Sequence, residues 1–352
     1  MESLLQTAIE PDFEALRSSL RREKEPSRVH FMEFYLDRPV EVAVVERFGL
    51  DEHLDKKHPF YYLQERIALQ QFLGYDMVKY EGSPVFVFEK KKTVTASGTE
   101  TKDGLALGPI QNWNDFERYP WPKVSDVDFS PLDFLEKELP VNMKCYLTSP
   151  IGYYKMLFGY EAMYYMMYDD PVLFKAVLDR LQGIFIDYAR RACQYSCVGA
   201  VWASDDMGMK TQTFFPPEFM RETILPMHQA FAAVAHAYDK LYFLHACGNL
   251  EAIMNDLIDT VKIDAKHSFE NAIVPVTEMK KRYGSRVSLL GGLDVDVLCR
   301  SDEKSLRKHV RDILDVCHPG GGYCLGSGNS IAGYVPLENY LIMLDEGRLF
   351  AR

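Results

Sequence analysis

No stretch of this 352-residue chain approaches 18 consecutive apolar residues, so no membrane-spanning helix is expected. Basic charge is scarce as well. Lys and Arg number 40 against 51 Asp and Glu, a formal net charge of −11. Such a surface argues against nucleic acid or an anionic membrane as the main partner, and against a polyanionic substrate unless basic residues cluster locally. The first residues, Met1-Glu-Ser-Leu-Leu-Gln, carry neither a basic segment nor a long apolar run, so no signal peptide is expected. A G-x-G-x-x-G after the first strand candidate and a Walker sequence are both missing, which leaves nucleotide binding with little support. Cysteines are few and odd in number, seven in all. Spread through a chain of this size, they fit free or metal-bound thiols in a reducing cytosol better than a disulfide framework.

What the chain does have is apolar content, 47%, enough for a large core. From residue 143 onward strand and helix patterns alternate. Strand candidates are 28–35, 75–80, 143–149, 199–204, 241–247, 261–267, 286–291 and 321–326. Helical periodicity fills the intervals, with proline at the first turn of the helices starting at Pro217 and Pro336. Alternation of this kind implies parallel βαβ units. Eight strands imply a single-domain (β/α)8 TIM barrel over residues 1–352, with a doubly wound open sheet as the alternative. Residues 84–108 interrupt the rhythm after the second strand. They read as an inserted β-ribbon and a candidate substrate lid.

In a barrel, chemistry sits at the C-terminal strand ends. The fifth candidate, Leu241-Tyr-Phe-Leu-His-Ala-Cys-Gly-Asn249, ends in His245 and Cys247. Residues two apart on a strand face the same side, so this pair can aim at one point. Cys324, ending the eighth strand between glycines, is the expected third ligand. One His and two Cys form a soft donor set suited to zinc, with a fourth position open to water, Asp206, Glu270 or substrate. The alternative is that both cysteines are small buried hydrophobes. Asp205 and Asp206 follow the fourth strand, and alternation allows only one to face the pocket; Asp206 is the choice. His267 and Glu270 are candidates for general acid/base or ligand roles, or a satisfied supporting pair. Asp294 reads as a loop cap. Tyr153, Tyr154, Trp202, Phe214 and Phe215 fall near strand ends and could line an apolar substrate pocket.

The stretches Ser204-Asp-Asp-Met-Gly208, Pro217-Glu-Phe-Met220, His245-Ala-Cys-Gly-Asn249, Gly291-Gly-Leu-Asp294 and Gly320 to Asn329 resemble the uroporphyrinogen decarboxylase superfamily. More closely, they resemble its zinc-dependent, cobalamin-linked methyltransferase branch. The resemblance spans about residues 110–346. It implies a (β/α)8 barrel, zinc on His245, Cys247 and Cys324, and a corrinoid carried by a partner protein. It implies methyl transfer from a small methoxylated donor to Co(I), an O-demethylation. The alternatives are methylation of a thiol of the coenzyme M type, and tetrapyrrole decarboxylation. The true decarboxylases carry an Arg-Gln-Ala-Gly-Arg stretch near the N-terminus, whereas Val29-His-Phe-Met-Glu-Phe-Tyr35 has no arginine pair. A cytoplasmic enzyme is expected, and a homodimer is compatible with it. With Cys247 and Cys324 on strands five and eight, the zinc would lie over the barrel axis.

Overall fold

The structure is a computed structural model that describes residues 4–88, 93–94, 100–101 and 107–350. Among the described residues nine strands follow one another: β1 (Met77–Tyr80), β2 (Thr93–Val94), β3 (Glu100–Thr101), β4 (Lys144–Ser149), β5 (Val198–Ser204), β6 (Leu241–His245), β7 (Ala265–His267), β8 (Ser288–Leu290) and β9 (Tyr323–Cys324). Seven of them form one sheet in the order β1-β4-β5-β6-β7-β8-β9. Every neighbouring pair in it is parallel. Parallel neighbours need long crossovers, and helices such as Pro171–Ala192, Leu225–Ala237, Val276–Tyr283 and Glu303–Cys317 supply them. The order runs without reversal, which a doubly wound sheet would require.

The expected first strand, 28–35, is reduced to one bridging residue. Phe31 pairs in parallel with Tyr75 on one side and with Leu325 on the other. The Met32 N–H donates to the Leu325 carbonyl at 2.9 Å, and the Leu325 N–H to the His30 carbonyl at 2.8 Å. Both edges of the curled sheet therefore meet the same short segment. The architecture is α/β, consistent with a TIM-like barrel. Of the ribbon expected over 84–108, β2 and β3 pair antiparallel. Residues 89–92, 95–99 and 102–106 lie outside the described residues.

Alternation on the strands sorts the core into two layers. Met77, Tyr146, Ala200, Trp202, Leu241, Phe243, Ala265, Leu290 and Cys324 form an inner cluster, joined by Phe13, Leu16 and Leu20 of the helix Phe13–Leu20. A side chain at Gly199 would collide with the Phe13 ring, so glycine lets that helix close the sheet's N-terminal end. The larger outer cluster lies between the sheet and its helices. One local expectation, the strand over 261–267, needs correction. Val261 and Ile263 alternate like a strand, but Leu257–Val261 is a wide helical turn and Lys262 ends it at φ 64. The strand begins only at Ala265. Asn112 caps a short helix, Trp113–Arg118, by accepting the Asp115 N–H. Among the described residues no helix is long and apolar enough to cross a membrane.

Candidate metal centre

Leu241 and Phe243 of β6 face the inner core, so alternation turns His245 the same way. Cys247 follows two residues on. The neighbouring β5 ends at Ser204, opposite His245, and its two aspartates then part. Asp205 is 1% exposed. It pairs with the buried Lys155 ammonium, and its other oxygen faces His228 Nε2 at 3.1 Å. Burial would raise its pKa, but Lys155 and His228 outweigh that and hold it below the usual carboxylate range. The Asp205 N–H donates to the His245 carbonyl at 3.0 Å, and Lys155 also donates to the Asp206 carbonyl. Asp205 and Lys155 thus lock the β5 and β6 ends together.

Asp206 points the other way. Its side chain is 44% exposed, with Oδ1 3.7 Å from His245 Nε2. The same oxygen accepts the Cys247 N–H at 2.9 Å. Cys247 Sγ lies 3.5 Å from His245 Nε2. Carboxylate, imidazole and thiol thus each offer a ligand atom, and the three atoms lie within 4.8 Å of one another. A borderline-soft divalent ion such as zinc suits this mixed O/N/S set, and three protein ligands leave a position for substrate.

The surroundings hold these groups in place. Phe34 stacks on the His245 ring at 4.3 Å between centroids and 16° between planes. His245 Nδ1 and His267 Nδ1 share a hydrogen bond at 2.8 Å. When His245 presents Nε2 to a metal, its Nδ1–H donates to His267. Cys247 Sγ accepts from Ser268 Oγ at 3.3 Å and from Asn329 Nδ2 at 3.3 Å. Behind it, the Lys266 ammonium donates to the carbonyls of Ser268 at 2.6 Å and His267 at 3.2 Å. Burial pushes His245 down to about 4, against the pull of Asp206. Burial and then Asp206 push the Cys247 thiol up to about 12. Burial lowers Lys266 to about 8 and takes His267 well below the ordinary histidine value. At neutral pH the cluster is therefore a neutral imidazole beside a protonated thiol, and a divalent cation would displace the thiol proton on binding.

The other sequence-derived candidates are placed differently. Cys324 is fully buried in the inner cluster with Trp202 and Leu290 and is not in the three-residue group. The third thiol expected from the sequence is thus not among these three ligand atoms. Cys324 is the last residue of β9 and belongs to the inner cluster, and the residues that follow meet the loops after β7 and β8. There the Gly328 carbonyl accepts the Phe269 N–H at 2.8 Å, and the Gly328 N–H reaches Leu293 at 2.6 Å. The residue thereby delivered to Cys247 is Asn329. Glu270 is exposed and stands outside the group. Its carbonyl accepts from Ile273 and Val274. Trp202 is wholly buried beneath the His267 ring, 5.3 Å away. Tyr154 donates to Asp205 at 3.4 Å. Tyr153 packs edge-on against Phe86 and Phe88, and Phe214 lies 5.8 Å from the Lys155 ammonium. Phe215 is buried among Tyr164, Phe174 and Phe219. Asp294 caps the helix Val295–Arg300. Phe34, Lys155, Ser268 and Asn329 were missed from the sequence. The only signal was position, since Ser268 follows His267 and Asn329 ends Gly326-Ser-Gly-Asn.

Comparison with known proteins bears on the fold and the family. In fold, the chain is similar to a methyltransferase from Methanosarcina mazei, with a TM-score of 0.68 and 16% identity over 100% of both chains. In sequence it is 27% identical over 191 residues to a uroporphyrinogen decarboxylase of Ruthia magnifica subsp. Calyptogena magnifica, covering 53% of this chain and 52% of that protein. It is 30% identical over 100 residues to one from Cupriavidus necator, covering 28% of this chain and 25% of that protein. The chain thus spans about half the length, or less, of these curated relatives. The family model for uroporphyrinogen decarboxylase (URO-D) matches residues 108–348, a span that includes every side chain of the metal cluster, and the chain belongs to that family.

Proposed function

We propose that the protein is a zinc-dependent methyltransferase that moves a methyl group from a small methoxylated, aromatic donor to Co(I) of a corrinoid protein. The observation that carries this reading is the grouping of Asp206, His245 and Cys247 within 4.8 Å at the C-terminal ends of β5 and β6. These three side chains would hold the metal, which supplies Lewis acidity to the donor's ether oxygen. An ether is a poor leaving group, and withdrawing charge from its oxygen is what the reaction needs. The O–CH3 bond breaks, its electron pair stays on oxygen, and the methyl carbon bonds to the Co(I) nucleophile of the partner. Phe34 and His267 fix the imidazole, and the half-exposed Asp206 leaves one side of the cluster open to substrate.

The same cluster would serve a thiol acceptor of the coenzyme M type, so the identity of the acceptor decides between the two methyl transfers. The names of the curated relatives favour a further reading, decarboxylation of a uroporphyrinogen. Such a substrate presents many carboxylates and calls for free cations. The Lys79 ammonium, 5.9 Å from the Phe34 ring, is already paired with Glu81 at 2.8 Å, and Glu81 also takes Arg66 at 3.0 Å. Methoxylated aromatics incubated with the zinc-loaded protein and reduced cobalamin test the proposal. Loss of the Co(I) absorbance with release of the phenol supports it. Methylation of a thiol from methylcobalamin, or formation of coproporphyrinogen, with no reaction of any methoxy donor, rejects it.

A further inference from the structure

The Cys247 sulfur is approached from two sides by hydrogen-bond donors that belong to different loops. Ser268 Oγ comes from the end of β7 and Asn329 Nδ2 from beyond β9, each at 3.3 Å. Neither is a metal ligand by its chemistry here, because both present a donor hydrogen to the sulfur. Ser268 is 5% exposed and holds φ at 81°, a left-handed conformation that glycine adopts freely and serine rarely does. Strain of this kind persists where the surroundings enforce it, and it gathers at functional sites. The surroundings here are explicit. Lys266 donates to the Ser268 carbonyl at 2.6 Å, and the Phe269 N–H is bound by Gly328 at 2.8 Å. The amide of Asn329 is oriented too, since Ser330 Oγ donates to its Oδ1 at 3.4 Å and so turns the NH2 toward sulfur.

We propose that Ser268 and Asn329 are positioning residues for the Cys247 thiolate, holding part of its charge by hydrogen bonding and so setting how strongly a metal bound there polarises substrate. The proposal rests on the metal-site reading above. A thiolate that accepts two hydrogen bonds gives less electron density to its metal, which stays a stronger Lewis acid. Serine is retained at a glycine-type backbone position because glycine would lose the hydroxyl.

The test is the sulfur-to-cobalt charge-transfer band of the Co(II)-loaded protein, measured for wild type, Ser268→Gly, Asn329→Leu and the double variant. Each single variant should bind one cobalt per chain and shift the band to lower energy, and the double variant should shift it further. Ser268→Gly should melt at the same temperature as wild type or higher, since the backbone strain is relieved, yet turn over a methoxylated donor about ten-fold more slowly. A band unmoved in both single variants, with cobalt bound, overturns the proposal and leaves the metal site standing. Wild-type protein that takes up no cobalt overturns both.

Discussion

Cys247 and Cys324 both have glycines close by in the chain, yet their sulfurs meet opposite surroundings. The first accepts two hydrogen bonds beside His245 and Asp206. The second is wholly buried against apolar side chains. Cys324→Ala should therefore act as a small core truncation. It should cost about 1–2 kcal/mol in urea unfolding and leave metal binding unchanged. Strand periodicity is a local rule, which is why the pairing of His245 with Cys247 and the outward turn of Asp206 could be read from the chain. Which residue of the loop after β9 reaches Cys247 depends on packing between distant segments. That is why Asn329, five positions past Cys324, could not be singled out beforehand. Phe34 escaped for the same reason: its stacking on His245 joins residues 211 positions apart in the chain.

Loops and strand ends are braced in pairs. Lys155 holds the β5 end through Asp205 and the Asp206 carbonyl, and the Asp205 N–H ties that end to His245 of β6. Lys155→Met would strand a carboxylate that is 1% exposed. Removing one partner of a buried pair costs about 3–5 kcal/mol, and denaturant unfolding should show a loss of that order. The loops that follow are interlocked by the close approach of two glycines. Gly248 has φ 89, and a Cβ there would collide with the Gly208 carbonyl. Gly248→Ala should destabilise by more than about 1 kcal/mol and also displace the adjacent Cys247, so that metal affinity falls together with melting temperature. The alternation of strands and helices was legible because most elements carry their own periodicity. Residues 257–264 were not, because Val261 and Ile263 imitate a strand while the Lys262 turn ends a helix.

Closure of the whole sheet depends on the segment around Phe31, and Glu33 ties that segment to the loop after β9. Its carboxylate accepts the Ser327 N–H at 2.6 Å and faces Ser327 Oγ at 2.6 Å. Burial raises Glu33 to about 8, and the Ser327 hydrogen bonds only partly oppose this. The folded state therefore holds this proton better than the unfolded chain. The contribution to stability is full below the ordinary glutamate value and declines as pH rises through about 8. Glu33→Gln makes the same contacts without a titrating group. In urea unfolding it should show a flatter pH dependence than wild type between about pH 6 and about pH 8.5. That carboxylate also shows why closure could not be read from residues 28–35, where eight residues yield a single bridging position. Zinc per chain in wild type, Cys247→Ala and Cys324→Ala decides which side chains hold the metal. About one zinc is predicted in wild type and in Cys324→Ala, and none in Cys247→Ala. Zinc retained in Cys247→Ala, or lost from Cys324→Ala while that variant stays folded, would contradict it.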